Sequence, residues 1–218
     1  MDARVPRFSD SGTVFLKLFM KTDLYTGLYV PRGDRPLTAE EAETRRIAQD
    51  LKIPTAESIE FAAPLMAALI DGPCWLIPVP ASNMTVTANL ALAQAIARPI
   101  EGARVSCAIA RKHAVESSRV RQFRGERRLT LEDHGFIRVG GPLRALPAYF
   151  VDNVITTGTT ITACRRALGW GTGLAFALVN KPHRASSSRA WHGLPGSMVL
   201  RERSAAAPLM TIRVARVI

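Results

Sequence analysis

The chain has 218 residues, 47% apolar and 22% charged, which is the balance of one ordinary globular domain with room for a substantial core. Its 29 Lys and Arg against 18 Asp and Glu leave a net charge of +11, a field that draws polyanions, whether nucleic acid or a highly charged phosphate ester. No span approaches the roughly 20 apolar residues of a membrane helix, and an N-terminus carrying Asp2, Arg4 and Arg7 does not read as a signal peptide, so the expectation is a cytoplasmic protein with no membrane partner.

Residues 1–37 read as irregular, with an apolar and aromatic stretch from Val14 to Val30 that suits one or two strands. Thr38-Ala-Glu-Glu41 has the capping-box pattern and predicts a helix to about Leu51. A second helix is predicted from Pro54-Thr55 to about Ile70, bent at Pro64, with Asp71-Gly72-Pro73 as the turn that follows. Cys74 to Val79 is predicted as a buried strand and Ser82 to Ala97 as a helix ended by Arg98-Pro99. Arg104 to Ala110 is the next strand. After a long basic, serine-rich stretch come a short strand near Phe136 to Val139 and a central strand at Tyr149 to Val151. A helix from Thr160 to Leu168 and a strand from Leu174 to Val179 follow. The tail from Lys181 reads as a basic loop, with Leu209 to Ile218 as a last strand. Alternating apolar strands and helices predict an α/β fold: a Rossmann-like, twisted, mostly parallel sheet flanked by helices.

Cys74, Cys107 and Cys164 are odd in number, far apart and set in apolar segments, which predicts buried free thiols. The four histidines, His113, His134, His183 and His192, show no metal-ligand spacing.

The most informative run is Ala148 to Thr160. An apolar strand, Tyr149-Phe150-Val151, is closed by Asp152, and Thr156-Thr157-Gly158-Thr159-Thr160 then leads into a helix bearing Ile161, Cys164 and Leu168 on one side. A small, hydroxylated loop at a helix N-terminus gathers free backbone N–H groups and the positive end of the dipole, and so suits a phosphate monoester. A carboxylate four residues before it is placed to grip a ribose hydroxyl while the loop holds a 5′-phosphate. An ordinary βα turn rich in threonine would look the same in outline.

With these residues the chain resembles the type I phosphoribosyltransferases, whose motif for 5-phosphoribosyl-1-pyrophosphate (PRPP) is an apolar strand, two acids, two apolar residues and a Thr/Ser-Gly-x-Thr loop. The match spans Tyr149 to Thr160 and departs at Asn153, where the second acid would stand. Ile77-Pro-Val-Pro80, Ser117-Ser118, Gly125-Glu-Arg-Arg128 and Phe136 narrow the resemblance to the ComF-like branch over about Ile77 to Val179, although its amino-terminal zinc ribbon and Arg-Gly-Phe-Asn-Gln run are absent. The resemblance implies a single phosphoribosyltransferase domain over 1–218. Its core is at about 72–180, with a small hood from 1–71, from 181–218 or from both.

It also implies roles. Thr156, Thr157, Gly158, Thr159 and Thr160 would hold the 5′-phosphate. Pro80, Ala81 and Ser82 would form the pyrophosphate loop, although Pro-Ala-Ser taken alone is only a helix start. Arg111 to Arg128 would be a closing loop, with Arg111 and Lys112 on the leaving pyrophosphate. Asp152 and Asn153 would face the ribose hydroxyls, with Mg²⁺ carried by PRPP, no direct protein ligand expected and Asp152 as the candidate contact. The reaction would displace pyrophosphate from C1 of PRPP by a nitrogenous acceptor. Thr156, where purine-salvage members carry an acid, argues against a purine acceptor. The alternative is a weakly catalytic or inactive relative that binds nucleic acid through its basic stretches, 111–128 and 181–203, with PRPP or a nucleotide as ligand. Monomer and homodimer stay equally open.

Overall fold

The computed structural model describes residues 23–31, 36–116, 120–121, 124–127, 129–141, 143 and 145–179. The predicted basic tail, the last strand and the part of the first apolar stretch before Asp23 lie outside these residues. So do Ser117, Ser118, Arg119 and Arg128.

The elements are β1 (Leu24–Tyr29), α1 (Ala39–Asp50), α2 (Ala56–Ala67), β2 (Trp75–Pro78), α3 (Thr87–Ala97), β3 (Arg104–Val105), β4 (Ile109–Arg111), β5 (Phe136–Arg138), β6 (Ala148–Ile155), α4 (Thr159–Leu168) and β7 (Thr172–Val179). Five strands form one sheet in the order β1-β7-β6-β2-β3, and every neighbouring pair is parallel. β4 and β5 form a separate antiparallel pair. The fold is α/β and Rossmann-like, with helices on both faces of the sheet.

Local chemistry explains the helix starts. Thr38 Oγ1 accepts from the Glu41 N–H at 3.2 Å while the Thr38 N–H donates to Glu41 Oε2 at 3.0 Å. Thr55 and Ser58 repeat the exchange at 3.1 Å in each direction. Each box satisfies donors that the first helical turn leaves free. The second helix stops at Ala67, three residues before its predicted end, because Leu69 and Ile70 bond back in tight turns to Met66 and Ala67.

The alternation of the strands divides the core. On one face Leu76, Val151, Leu174 and Phe176 pack against Ile47, Ala48, Leu51, Ala62, Met66, Leu92 and Ile96 of α1, α2 and α3. On the other face Ile77, Phe150 and Ala175 pack against Ile109, Ile161, Cys164 and Leu168. Residues 24–67, inside the segment expected to form a hood, thus supply an edge strand and two helices of the main layers.

Three local expectations are corrected. Arg104 to Ala110 is not one strand: Ser106 donates to Leu76 O, the last tie to β2, and Val139 then donates to Ala108 O as the chain crosses to the β4–β5 pair. α3 begins at Thr87 rather than Ser82, since Asn83 Oδ1 accepts from both the N–H and the hydroxyl of Thr85 and holds residues 81–85 in a turn of their own. Cys107 is exposed in the crossing segment, whereas Cys74 and Cys164 are buried. Among the described residues no helix is long and apolar enough to cross a membrane.

The β7 entry is set by two glycines. Gly169 ends α4 at φ 100 with open space around it, while Gly171, at φ 128, lies where an added Cβ would meet the Phe150 ring at 2.5 and 2.7 Å. Gly171→Ala combines left-handed strain with overpacking and is expected to cost roughly 2–4 kcal/mol, against about 1 kcal/mol for Gly169→Ala. Urea unfolding of the two variants measures the difference.

Candidate functional site

The order of the strands creates the site. From β2 the chain moves outward to β3, then returns to the other side of β2 as β6 and moves outward again to β7. The connections leaving β2 and β6 therefore diverge, and ligands of such sheets gather in the crevice at this switch point. β2 stops early: its last registered pair is Pro78 with Val151, and one further bond runs from the Val79 N–H to Val151 O at 3.0 Å. β6 continues to Ile155 along β7. Asp152 to Ile155 therefore overhang β2, and Asp152 lies within the strand rather than closing it as expected.

Asp152 and Asn153 are consecutive in an extended strand, so their side chains leave on opposite faces. Asn153 Nδ2 donates to Ala48 O near the end of α1 at 2.9 Å. Asp152 Oδ1 accepts from the Asn153 N–H at 2.8 Å and from Asn89 Nδ2 at 3.4 Å. The two do not converge on one point, and Asn153 is engaged in tying α1 to the sheet. Asp152 Oδ2 has no partner among the described residues. It is not sealed in the core either, since His134 Nδ1 is the buried side-chain atom there that lacks a partner.

Beyond β6 the chain forms the threonine loop. Thr156 and Thr157 are exposed, the hydroxyls of Thr157 and Thr159 lie 2.8 Å apart, and Gly158 takes the left-handed conformation at φ 75. α4 starts with no side-chain cap, and a Cβ at Gly158 would meet nothing within 4 Å. The Thr159 N–H donates to Thr157 Oγ1 at 3.4 Å; the remaining first-turn N–H groups, the two hydroxyls and the open space make a cradle for an anion.

Pro80 is buried, and Ala81 is exposed in the 81–85 turn, where the Ala81 N–H donates to Thr85 O at 2.7 Å and Met84 takes φ 72. The Ala81 donor is thus engaged, and Ser82 contributes its carbonyl to the Val115 N–H at 2.8 Å. The loop offers an anion less backbone than expected.

Arg111 ends β4 and is buried, not exposed on a loop. Its Nε donates to Pro80 O at 3.2 Å, Nη1 donates to His134 O at 2.7 Å, and the guanidinium lies 4.1 Å over the Phe136 ring. Burial lowers its pKa, against the pull of Cys164 and Asp152. The guanidinium is a fixed positive charge behind the crevice. Lys112 is exposed beside it, with its N–H on Gly135 O at 2.9 Å.

Three described arginines of the basic loop are paired with acids. Arg124 pairs with Glu116 at 2.6 Å, Arg121 with Glu126 at 3.5 Å, and Arg127 holds both oxygens of Asp133, at 2.9 and 3.1 Å. The Thr130 N–H and hydroxyl, with Arg127, hold the Asp133 pKa down at about 2. Arg166 of α4 reaches Glu132 at 2.9 Å.

Sequence reasoning passed over two residues here. His134 is buried and stacked on Phe136 at 5.6 Å; its pKa is lowered by burial and by Arg111, against the pull of Asp133. Asn89 spans from β2 to Asp152. Its one signal was a lone amide in an otherwise apolar first turn, Thr87-Ala-Asn-Leu90.

Compared with known proteins, the chain matches no protein-family model, and no curated protein is significantly similar to it. Among the described residues no group of three His, Cys, Asp or Glu is arranged to hold a metal ion.

Burial raises the Asp152 pKa from 3.8 to about 6, against the opposing Asn153 and Asn89 hydrogen bonds and the charges of Lys52 and Arg111. The folded chain thus binds this proton more tightly than the unfolded chain. The stability it confers is fully present below about pH 3.8 and is lost as the pH rises through about 6. Asp152→Asn removes that loss. Urea unfolding should show the variant gaining roughly 1–3 kcal/mol on wild type between about pH 4 and pH 7. Parallel profiles would contradict the burial argument.

Proposed function

We propose that the chain is a PRPP-binding phosphoribosyltransferase of the type I fold, with its site in the β2/β6 crevice. The carrying observation is Asp152: a carboxylate on the strand overhang with one oxygen unpartnered among the described residues, four residues before the threonine loop that opens α4 through Gly158. In this reading the loop from Thr156 to Thr160 takes the 5′-phosphate, and Asp152 Oδ2 accepts from a ribose hydroxyl. The pyrophosphate lies toward Pro80–Ser82, in the field of Arg111.

Displacement at C1 leaves charge on the departing pyrophosphate while the ribose carbon becomes cation-like. A buried guanidinium held by two carbonyls and a ring is preorganised for that charge and needs no reorganisation as it develops. Lys112, exposed at the start of the 112–135 connection, can move onto the same group as the loop closes. The residues present fit Mg²⁺ carried by substrate, which usually keeps its waters and takes one or two carboxylates beside phosphate oxygens; Asp152 supplies one. Held there, the ion would supply charge compensation for the leaving group.

The internal pairing of Arg121, Arg124 and Arg127 supports a loop that folds on itself over an open polyanion-binding patch. Asn153, committed to Ala48, supports slow turnover, since no second acid assists Asp152.

Calorimetric titration with PRPP and Mg²⁺ tests the reading in wild type and in Thr157→Trp, which fills the threonine loop. Binding is expected in the first and not in the second, with both melting alike. Equal behaviour of the two would overturn the site. In a pyrophosphate-release screen across nitrogenous acceptors, Asp152→Ala is expected to lower the rate by about 100-fold or more.

A further inference from the structure

Two arginine–tryptophan stacks stand at the end of the sheet away from the crevice. Trp75 is the first residue of β2, and the guanidinium of Arg104, the first residue of β3, lies 5.9 Å from its ring centroid. Trp170 lies between α4 and β7, and the guanidinium of Arg138, the last residue of β5, lies 5.7 Å from its ring centroid. Both rings are half-buried against the core cluster that holds Ile77 and Phe150, so they share one face of the sheet. Both arginines are exposed. Only β6 separates β2 from β7, which at the usual strand spacing puts the two strand starts about 10 Å apart.

Arg121, Arg124 and Arg127 are each paired with an acid, whereas Arg104 and Arg138 have no ion pair among the described residues. An indole under a guanidinium fixes its plane and leaves its N–H edges open to oxygen acceptors. We propose that this face binds single-stranded nucleic acid, with Arg104 and Arg138 each on a phosphate and the two stacks as surfaces for bases. A single strand offers negative charges along its backbone and flat base faces between them, which matches paired charge and ring. An acidic peptide offers the charge without the faces. The net charge of +11 adds long-range attraction. Asp152 and the threonine loop lie at the carboxyl end of β6, so the two sites are separate and this one does not rest on the phosphoribosyltransferase reading.

Fluorescence anisotropy of a labelled single-stranded oligonucleotide of about 12 nucleotides, titrated with the full chain, tests the proposal. Arg104→Gln/Arg138→Gln is expected to weaken binding about tenfold or more. It should also flatten the slope of log K against log salt by about 1.4, two phosphates at about 0.7 each. Arg104→Lys/Arg138→Lys keeps the charge and loses the planar fork. It is expected to keep the slope and still bind about fivefold more weakly. Arg124→Gln/Arg127→Gln removes two acid-paired arginines and is expected to stay within about twofold of wild type. All four positions are exposed, so the variants should melt as wild type does. Saturating PRPP·Mg²⁺ is expected not to compete. The proposal is overturned by no binding in wild type at low salt, or by wild-type affinity in either Arg104/Arg138 pair. An equal loss in the Arg124/Arg127 pair, displacement by PRPP·Mg²⁺, or equally tight binding of polyglutamate would overturn it too.

Discussion

The structure depends on the early end of β2. The N–H groups of Trp75 and Val79 face β6, but the next in that alternation, Ala81, donates to Thr85 O at 2.7 Å, so the ladder to β6 stops at Val79. β6, paired on its other edge with β7, runs on for several residues. One strand stopping beside one that continues leaves an exposed backbone edge and a polar residue, Asp152, at the place where the chain's connections diverge. A carboxylate in that position is held above its ordinary pKa by burial and is not paired with a cation in direct contact. The fold tolerates this at a cost in stability, as binding sites commonly do.

Everything around the overhang repairs what the early stop leaves open. Asn89 satisfies Val79 O, and Arg111 satisfies Pro80 O and ties it to the β4–β5 pair through His134 O. Arg111 thereby joins the main sheet to the small one. Its charge is buried against an aromatic face and carbonyl oxygens, an arrangement that holds a guanidinium without cancelling it. Among the described residues, Arg121, Arg124 and Arg127 of the following loop are different: they are matched by Glu126, Glu116 and Asp133.

Much of this was legible in the sequence where the physics is local. The box at Thr38 and Glu41, the restart at Thr55, the apolar runs of β2 and β7 and the glycine-opened loop before α4 each rest on neighbours within a few residues. What was not legible depends on partners far along the chain. Asp and Asn disfavour strands, so the end of β6 looked like Asp152, yet pairing with β7 carries the strand to Ile155. The face of Asn153 follows from α1 lying across that side of the sheet, a contact separated by 105 residues. Arg111 looked like the first residue of a lid because its burial depends on Pro80 and on Phe136 across the loop. Asn89 looked like one amide in an apolar helix because its partners lie on two strands.

The most direct measurement of the central claim is a crystal structure of the chain with PRPP and Mg²⁺. The account predicts the 5′-phosphate within hydrogen-bond distance of the backbone from Gly158 to Thr160, Asp152 Oδ2 on a ribose hydroxyl and the pyrophosphate on the Arg111 side of the crevice. PRPP bound away from the β2/β6 overhang, or bound there with Asp152 turned out of contact, would contradict it.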